Sequence, residues 1–418
     1  MPQSSDLGFA LRVNADRLQH SLAQLAEIGR CADGSISRIA FSPADQQARQ
    51  QVQTWMLDAG MMVRLDAAGN LIGRYPGQVE FAPALATGSH IDTVPKGGRY
   101  DGCLGVLAGI EIVRVLQEHQ WRLQHPLEVI VFTDEESTVI GSKAMAGQLR
   151  PDPDYYRRQD GTAIATCLAS IGGDWSQIAT ARRDRRDLAA FVELHVEQGG
   201  LLEAEQIQIG IVKGVVGQYR LRVEIQGRAN HAGTTPMHLR QDALLAAAQV
   251  ILAVNRLVTQ SAGEQVGTVG YLQVAPNASN TIASHVELRI DLRDLSQQHL
   301  DALRAQVEQE LVAIAGATRT TIQMQEIFHV LPTLATPVIM SAISQVCHQQ
   351  GLRTLHLPSR AGHDAQEIGR ITDMGMIFVP SQQGISHSGA EYTSPQQCAQ
   401  GADVLLQTLL QLDSLYPV

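Results

Sequence analysis

The 418-residue chain has few cysteines, no excess of basic charge and no long apolar run, and each lack closes off a class of function. Its five cysteines, Cys31, Cys103, Cys167, Cys347 and Cys398, are scattered and form no C-x-x-C pair. That argues against a disulfide frame or a zinc knuckle and for reduced thiols. Lys and Arg number 32 against 42 Asp and Glu, a formal net charge of −10. Nucleic-acid binding depends on cations that neutralise phosphates, so no nucleic-acid partner is expected. No stretch approaches the roughly 20 apolar residues of a membrane span. The first residues, Met1-Pro-Gln-Ser-Ser-Asp-Leu7, have neither the basic start nor the apolar segment of an export signal. The expectation is a cytoplasmic protein with no membrane contact. Gly105 to Gly109 lacks the Gly-Lys-Ser/Thr ending of a phosphate loop, and there is no internal repeat or long linker.

What is present is ordinary globular composition, 44% apolar and 18% charged, in a chain long enough for two domains. Ser42-Pro43 is a helix start, with a capping hydroxyl and a proline in the first turn, and that helix should continue through Asp58 and stop at Gly60. A hairpin turning at Gly69-Asn70, a strand near 85–87, a helix over 105–118 and a strand over 127–133 follow. Such alternation predicts an α/β sheet with its sites at strand ends. From Gly214 the pattern reads strand 219–226, helix 241–260, strands 265–273 and 285–292, helix 297–315 and strand 320–328. This β-α-β-β-α-β order is ferredoxin-like. After Pro332 helix and strand return at 337–350, 374–380 and 395–412. The expected architecture is a discontinuous catalytic domain, residues 1–213 and 331–418, with residues 214–330 inserted as a separate ferredoxin-like domain.

Three clusters concentrate ionisable donors: Gly88-Ser-His-Ile-Asp-Thr-Val94, Arg99-Tyr-Asp-Gly102 and Thr133-Asp-Glu-Glu136. His90 and Asp92, two apart on an extended segment, project to the same side. Glu135 and Glu136 close the apolar run Leu127 to Thr133. His195 ends Phe191-Val-Glu-Leu-His195, and His387 lies in the loop Gln383 to Gly389. Together His90, Asp101, Glu136, His195 and His387 suffice for two divalent ions sharing one carboxylate. Zinc is the expected ion; manganese, cobalt and nickel are admitted by the same imidazole and carboxylate donors.

At these residues the chain resembles the zinc-peptidase-like amidohydrolases, the group of N-carbamoyl-L-amino-acid hydrolases, β-ureidopropionases and allantoate amidohydrolases. The resemblance runs through Gly88 to Val94, Tyr100 to Gly109, His195-Val-Glu-Gln-Gly199, Asn230-His-Ala-Gly-Thr-Thr-Pro-Met237, Asp291-Leu-Arg293, Ala361-Gly-His-Asp-Ala365 and Ile385-Ser-His387. It implies that His90, Asp101 and His195 hold one metal and Asp101, Glu136 and His387 the other. It makes Glu135 the general base and Asp92 the partner that orients His90. It implies a cis peptide at Asp101-Gly102, and a lid and dimerisation role for the inserted domain. His231 would then be an oxyanion donor, Asn280 and Arg293 a clamp on a substrate carboxylate, and Gln198, Gly362 and His363 further substrate contacts.

The chain departs from that pattern after Asn280, where Thr281-Ile-Ala-Ser284 replaces the more usual turn with Pro-Gly, and in two further places. Ser137-Thr-Val-Ile140 leads directly into Gly141-Ser142, where relatives carry an arginine and about half a dozen more residues, and Arg360 stands where they often have glycine. The implied activity is hydrolysis of a linear amide C–N bond in a small ureido carboxylate, an N-carbamoyl-L-amino acid first and allantoate second, by a homodimer. The alternatives are an aminoacylase or dipeptidase, and a catalytically silent dimer that binds a metabolite.

Overall fold

The computed structural model describes residues 11–158 and 160–418. In chain order the strands are β1 (Met62–Leu65), β2 (Leu71–Tyr75), β3 (Ala84–His90), β4 (Leu127–Phe132), β5 (Leu188–Val196), β6 (Ile209–Val215), β7 (Gly217–Gln226), β8 (Val266–Ala275), β9 (His285–Asp294), β10 (Thr321–Val330), β11 (Thr333–Leu334), β12 (Thr354–Ser359) and β13 (Asp373–Val379). The chain divides into two compact units, one up to Gly214 and again from Leu334, the other Val215–Thr333.

The first unit is built on a mixed sheet in the order β1-β2-β4-β3-β5-β13-β6-β11, with β12 pairing β6. Its centre, β4, β3, β5 and β13, is parallel, while β1, β2 and β6 pair antiparallel. Every residue of β3, β4 and β5 is buried, as the central strands of a sheet covered on both faces must be. The helix Cys103–Glu118 lies against β3, β4 and β5, and Val106, Leu107, Ile110 and Val113 belong to the main core. The predicted helix spans Pro43–Asp58, with Ser42 accepting from the Asp45 amide, and Gly60 takes φ +86 just past its end. The hairpin closes at Asp66 to Asn70, where the Asp66 carboxylate accepts from the Ala68 and Asn70 amides. The helix Ala15–Glu27 and strands β6 and β12 were not anticipated.

The second unit has the order β7, helix Ala243–Gln260, β8, β9, helix Gln297–Thr318, β10, in a sheet ordered β10-β7-β9-β8. That is the ferredoxin-like arrangement read from the period-two and helical patterns. Leu221, Val223 and Ile225 of β7 and Val286, Leu288 and Ile290 of β9 make its core with one face of each helix. Helix Ala243–Gln260 is the one described helix long and apolar enough by composition to span a membrane. Its buried positions, Ala243, Ala246, Ala247, Val250, Ala253 and Val254, form a single stripe, as on an amphipathic helix resting on a sheet.

Candidate metal centre

The parallel strands deliver the acidic and imidazole side chains to one edge of the sheet. His90 is the last residue of β3 and pairs in register with Phe132 of β4, so Thr133 to Glu136 continue beside it. His195 near the end of β5 pairs with Phe378 of β13, and the chain leaving β13 carries His387. These are carboxyl ends of neighbouring parallel strands, where open α/β sheets place their sites.

Asp101 stands between two groups. Its Oδ1 lies 3.1 Å from His195 Nε2 and 3.6 Å from His90 Nε2. Its Oδ2 lies 3.4 Å from His387 Nε2, which is 3.5 Å from Glu136 Oε2. Four donors at about 2.1 Å from a tetrahedral ion are roughly 3.4 Å from one another, so these separations fit shared coordination. His90, Asp101 and His195 form one compact set of donor atoms and Asp101, Glu136 and His387 a second. A third set, Glu193, His195 and His363, is compact as well. There the Glu193 carboxylate is already engaged by the Ser89 hydroxyl at 2.6 Å and the Ala365 amide at 3.0 Å, so it braces the floor of the site.

The electrostatics reflect crowded carboxylates and imidazoles in a dry place. Burial opposes charge on His90, yet Glu135, Asp101, Asp92 and Glu136 outweigh it and hold its pKa well above the ordinary value. Burial likewise pushes against ionised Asp101, and hydrogen bonds from His195, His387 and His90 carry it well below the carboxylate range. Glu135 is raised well above that range by burial, and Glu136 is raised to about 7, burial again leading. Carboxylates and imidazoles crowded in this way are a donor set suited to a dication.

His90 and His195 are each held from behind. His90 Nδ1 and the Asp92 main-chain oxygen are 3.0 Å apart, and His195 Nδ1 and the Val196 oxygen 2.8 Å, leaving both Nε2 atoms facing Asp101. Asp92 therefore orients His90 through its carbonyl, its carboxylate being 3.7 Å from the ring, and that carboxylate instead accepts from the Glu136 amide at 3.2 Å. Glu135 Oε2 is 3.6 Å from His90 Nε2. The Asp101-Gly102 bond is trans, since the one cis bond among the described residues is Ala275-Pro276. Gly102 turns the chain with φ +65, which glycine adopts without steric cost, whereas a non-proline cis bond costs about 3–4 kcal/mol.

Gln198 reaches the same place: its Nε2 donates to Asp101 Oδ2 at 2.8 Å, while its Oε1 is buried with no hydrogen-bond partner. Gly362 is exposed, three residues past the end of β12. His363 faces inward, packed edge-on against His195 with ring centroids 4.5 Å apart and bonded to the Ser359 hydroxyl. Burial and then His195 hold it well below the ordinary pKa, and its ring braces that of His195. The shortened segment after Glu136 closes as a turn, the Asp134 carbonyl accepting from the Thr138 and Val139 amides, and Arg360 is exposed.

Within the second unit, His231 is exposed and its Nδ1 accepts from the Gly233 and Thr234 amides at 3.0 and 3.2 Å. Those two donors fix the proton on Nε2, which makes that atom a donor. Asn280 sits opposite, its carbonyl accepting from the Ala232 amide. Arg293 grips Asp291 by two bonds of 2.9 and 3.1 Å.

Sequence reasoning passed over Glu193 and Glu391. Glu193 sits two residues before His195 on an all-buried strand, a signal that could have been used, because an apolar strand tolerates a carboxylate only with dedicated partners.

The model of peptidase family M20/M25/M40 matches residues 86–411. The chain is 39% identical over 405 residues to an N-carbamoyl-L-amino acid amidohydrolase of Geobacillus stearothermophilus, covering 96% of this chain and 99% of the relative. It is 34% identical to a ureidoglycolate hydrolase of Arabidopsis thaliana, over 98% and 89% of the two chains, and 34% identical to an allantoate amidohydrolase of Bacillus subtilis, over 93% and 95%. A solved amidase of the hydantoinase/carbamoylase family from Burkholderia multivorans superposes with a TM-score of 0.92 at 34% identity, over 98% of this chain and all of that one.

Proposed function

The chain belongs to peptidase family M20/M25/M40, and from that premise we propose that it is a dinuclear-metal amidohydrolase whose substrate is an N-carbamoyl-L-amino acid, converted to the amino acid, ammonia and carbon dioxide. The observation that carries this reading is Asp101, whose two oxygens face two separate sets of donors. His90, Asp101 and His195 would hold one ion and Asp101, Glu136 and His387 the other. Zinc is our first choice on this donor set, with manganese, cobalt or nickel able to replace it. Two ions there would supply Lewis acidity at neutral pH.

The protein's own groups do the rest. Glu135, beside His90 and largely shielded from solvent, takes the proton of the attacking water and delivers it to the leaving nitrogen. Gln198 Oε1, which lacks an internal partner, accepts from the N–H of the ureido group. His231 presents Nε2–H to the developing oxyanion, its orientation fixed by two backbone amides. Arg293, oriented by Asp291, and Asn280 hold the substrate carboxylate, and the Gly362 main chain lies along the same ligand. We place the enzyme in the cytoplasm, in keeping with five free cysteines, as a homodimer formed through the inserted lid domain.

The second reading, allantoate or ureidoglycolate as substrate, is supported by the Bacillus subtilis and Arabidopsis thaliana relatives. The test is ammonia release by metal-reconstituted protein on N-carbamoyl-L-amino acids, β-ureidopropionate, allantoate and ureidoglycolate, with Glu135→Gln alongside. Turnover of the carbamoyl amino acids, reduced about 10²–10⁴-fold in the variant, is the expected result. Turnover of allantoate alone would move the substrate, and no ammonia from any of the four with two ions bound would sink the amidohydrolase reading.

A further inference from the structure

Glu391 is 4% exposed and belongs to neither set of donors, yet it touches both segments that would complete the second of them. We propose that Glu391 is a positioning residue that clamps the Asp101 turn to the His387 loop and so builds the half of the centre shared by Asp101, Glu136 and His387. The inference rests on the two-metal reading above.

The clamp has three parts. Glu391 Oε1 accepts from the backbone amides of Tyr100 at 2.7 Å and Asp101 at 3.1 Å, which fixes the peptide planes from which the Asp101 side chain departs. Glu391 Oε2 is 3.4 Å from the Ser386 hydroxyl, and that hydroxyl reaches Asp101 Oδ2 at 3.1 Å. The Glu391 amide donates to the Ser388 carbonyl at 3.0 Å, closing the turn that directly follows His387, which itself takes φ +52. One carboxylate thus spans 290 residues of sequence to hold the two ligands on either side of Asp101 Oδ2. Gly98 shows that the approach is built in: a Cβ there would stand 2.2 Å from Glu391 Oε1, so a side chain would expel the carboxylate. His90 and His195, by contrast, stand on buried strands and take their orientation from the Asp92 and Val196 carbonyls, independent of Glu391. Asp101 serves both sets, but only the second also draws His387 from the clamped loop, so removing the clamp should weaken the half with Glu136 and His387 more than the half with His90 and His195, which a general loss of folding would not do.

The experiment is calorimetric titration of chelator-stripped protein with cobalt(II), on wild type, Glu391→Ala, Glu391→Asp and Glu391→Gln, with thermal unfolding of each metal-free protein. Wild type should take up two equivalents. Alanine removes the acceptor and aspartate is one methylene too short to reach both amides, so each should bind one equivalent at least tenfold more weakly than wild type, with the other affected much less. Glutamine, whose amide oxygen still accepts from both N–H groups, should restore the second equivalent to within about threefold. Fewer than two equivalents in wild type would overturn the two-metal reading and this inference with it. Two equivalents in wild type, with both unchanged or both weakened alike in the alanine and aspartate variants, would overturn the clamp alone. Should the alanine variant not fold, the aspartate and glutamine pair decides by the same split.

Discussion

Gly102→Ala should damage the centre far more than its chemistry suggests, and the damage can be divided into two parts. Gly102 takes φ +65 with ψ −47, a γ-turn closed by the Cys103 amide on the Asp101 carbonyl, a strained conformation that costs a residue with a Cβ about 1–3 kcal/mol. A Cβ built there would also lie 2.4 Å from His90 Nε2, where ordinary contact begins at 3.4 Å, so ring or turn must shift by the difference, about 1 Å. Neither can shift freely. His90 is 1% exposed at the end of a central strand, and the Gly102 amide donates to His195 Nε2 at 3.1 Å. Gly351 is the control: it has φ +68 and no neighbour within 4 Å, so Gly351→Ala carries the backbone cost alone. Both variants should lose about 1–2 kcal/mol in urea denaturation of the metal-free protein, Gly102→Ala somewhat more. Only Gly102→Ala should lose turnover, by roughly 10²-fold for a misplacement near 1 Å, with weakened metal uptake in calorimetry. Rates within twofold of each other in the two variants would refute the claim that Gly102 is required by the proximity of His90.

Asp45 is 3% exposed, and burial lifts its carboxyl to about 6 from an ordinary 3.8. Because the folded state holds this proton more tightly, wild type loses stability as pH rises from about 4 to 6; Asp45→Asn should therefore gain on wild type by up to about 3 kcal/mol over that interval in urea denaturation, and a flat difference would exclude the effect. Cys103, Cys167, Cys347 and Cys398 are buried, the thiols of Cys347 and Cys398 pushed up to about 12, while Cys31 is half-buried. Ellman's reagent should label one thiol in the native protein and five in urea, and a second fast-reacting native thiol would contradict the packing.

Strong local periodicity made most of the fold legible. The alternation Tyr219 to Gln226 marks a strand with one buried face, and the structure buries Leu221, Val223 and Ile225 while leaving Arg220 and Gln226 exposed. The helix Pro43–Asp58 was announced by its cap, and the helix expected over 105–118 spans Cys103–Glu118. What escaped had weak local signals: β12 carries a proline at Pro358, and β6, Ile209–Val215, contains two glycines. Their pairing comes from neighbours distant in sequence, which no local window contains.

The site divides along a different line. Residues that present a side chain to the centre were readable, because histidines and carboxylates at strand ends are chemically conspicuous, and His90, Asp101, Glu136, His195 and His387 do converge. Residues that act on backbone were not. Glu391 looks like any loop glutamate; its significance lies in accepting two amide protons from a segment 290 residues away, and amide donors are the same for every sequence. Asp92 makes the same point in reverse: the side chain was expected to orient His90, but the carbonyl does so, and the carboxylate turns to the Glu136 amide. Side-chain identity predicts which atoms can bind a metal, whereas main-chain hydrogen bonds decide where those atoms stand. A chain could therefore keep every ligand and lose the centre through a change at Gly98, Gly102 or Glu391, so ligand motifs alone are an incomplete test of whether a relative retains this site.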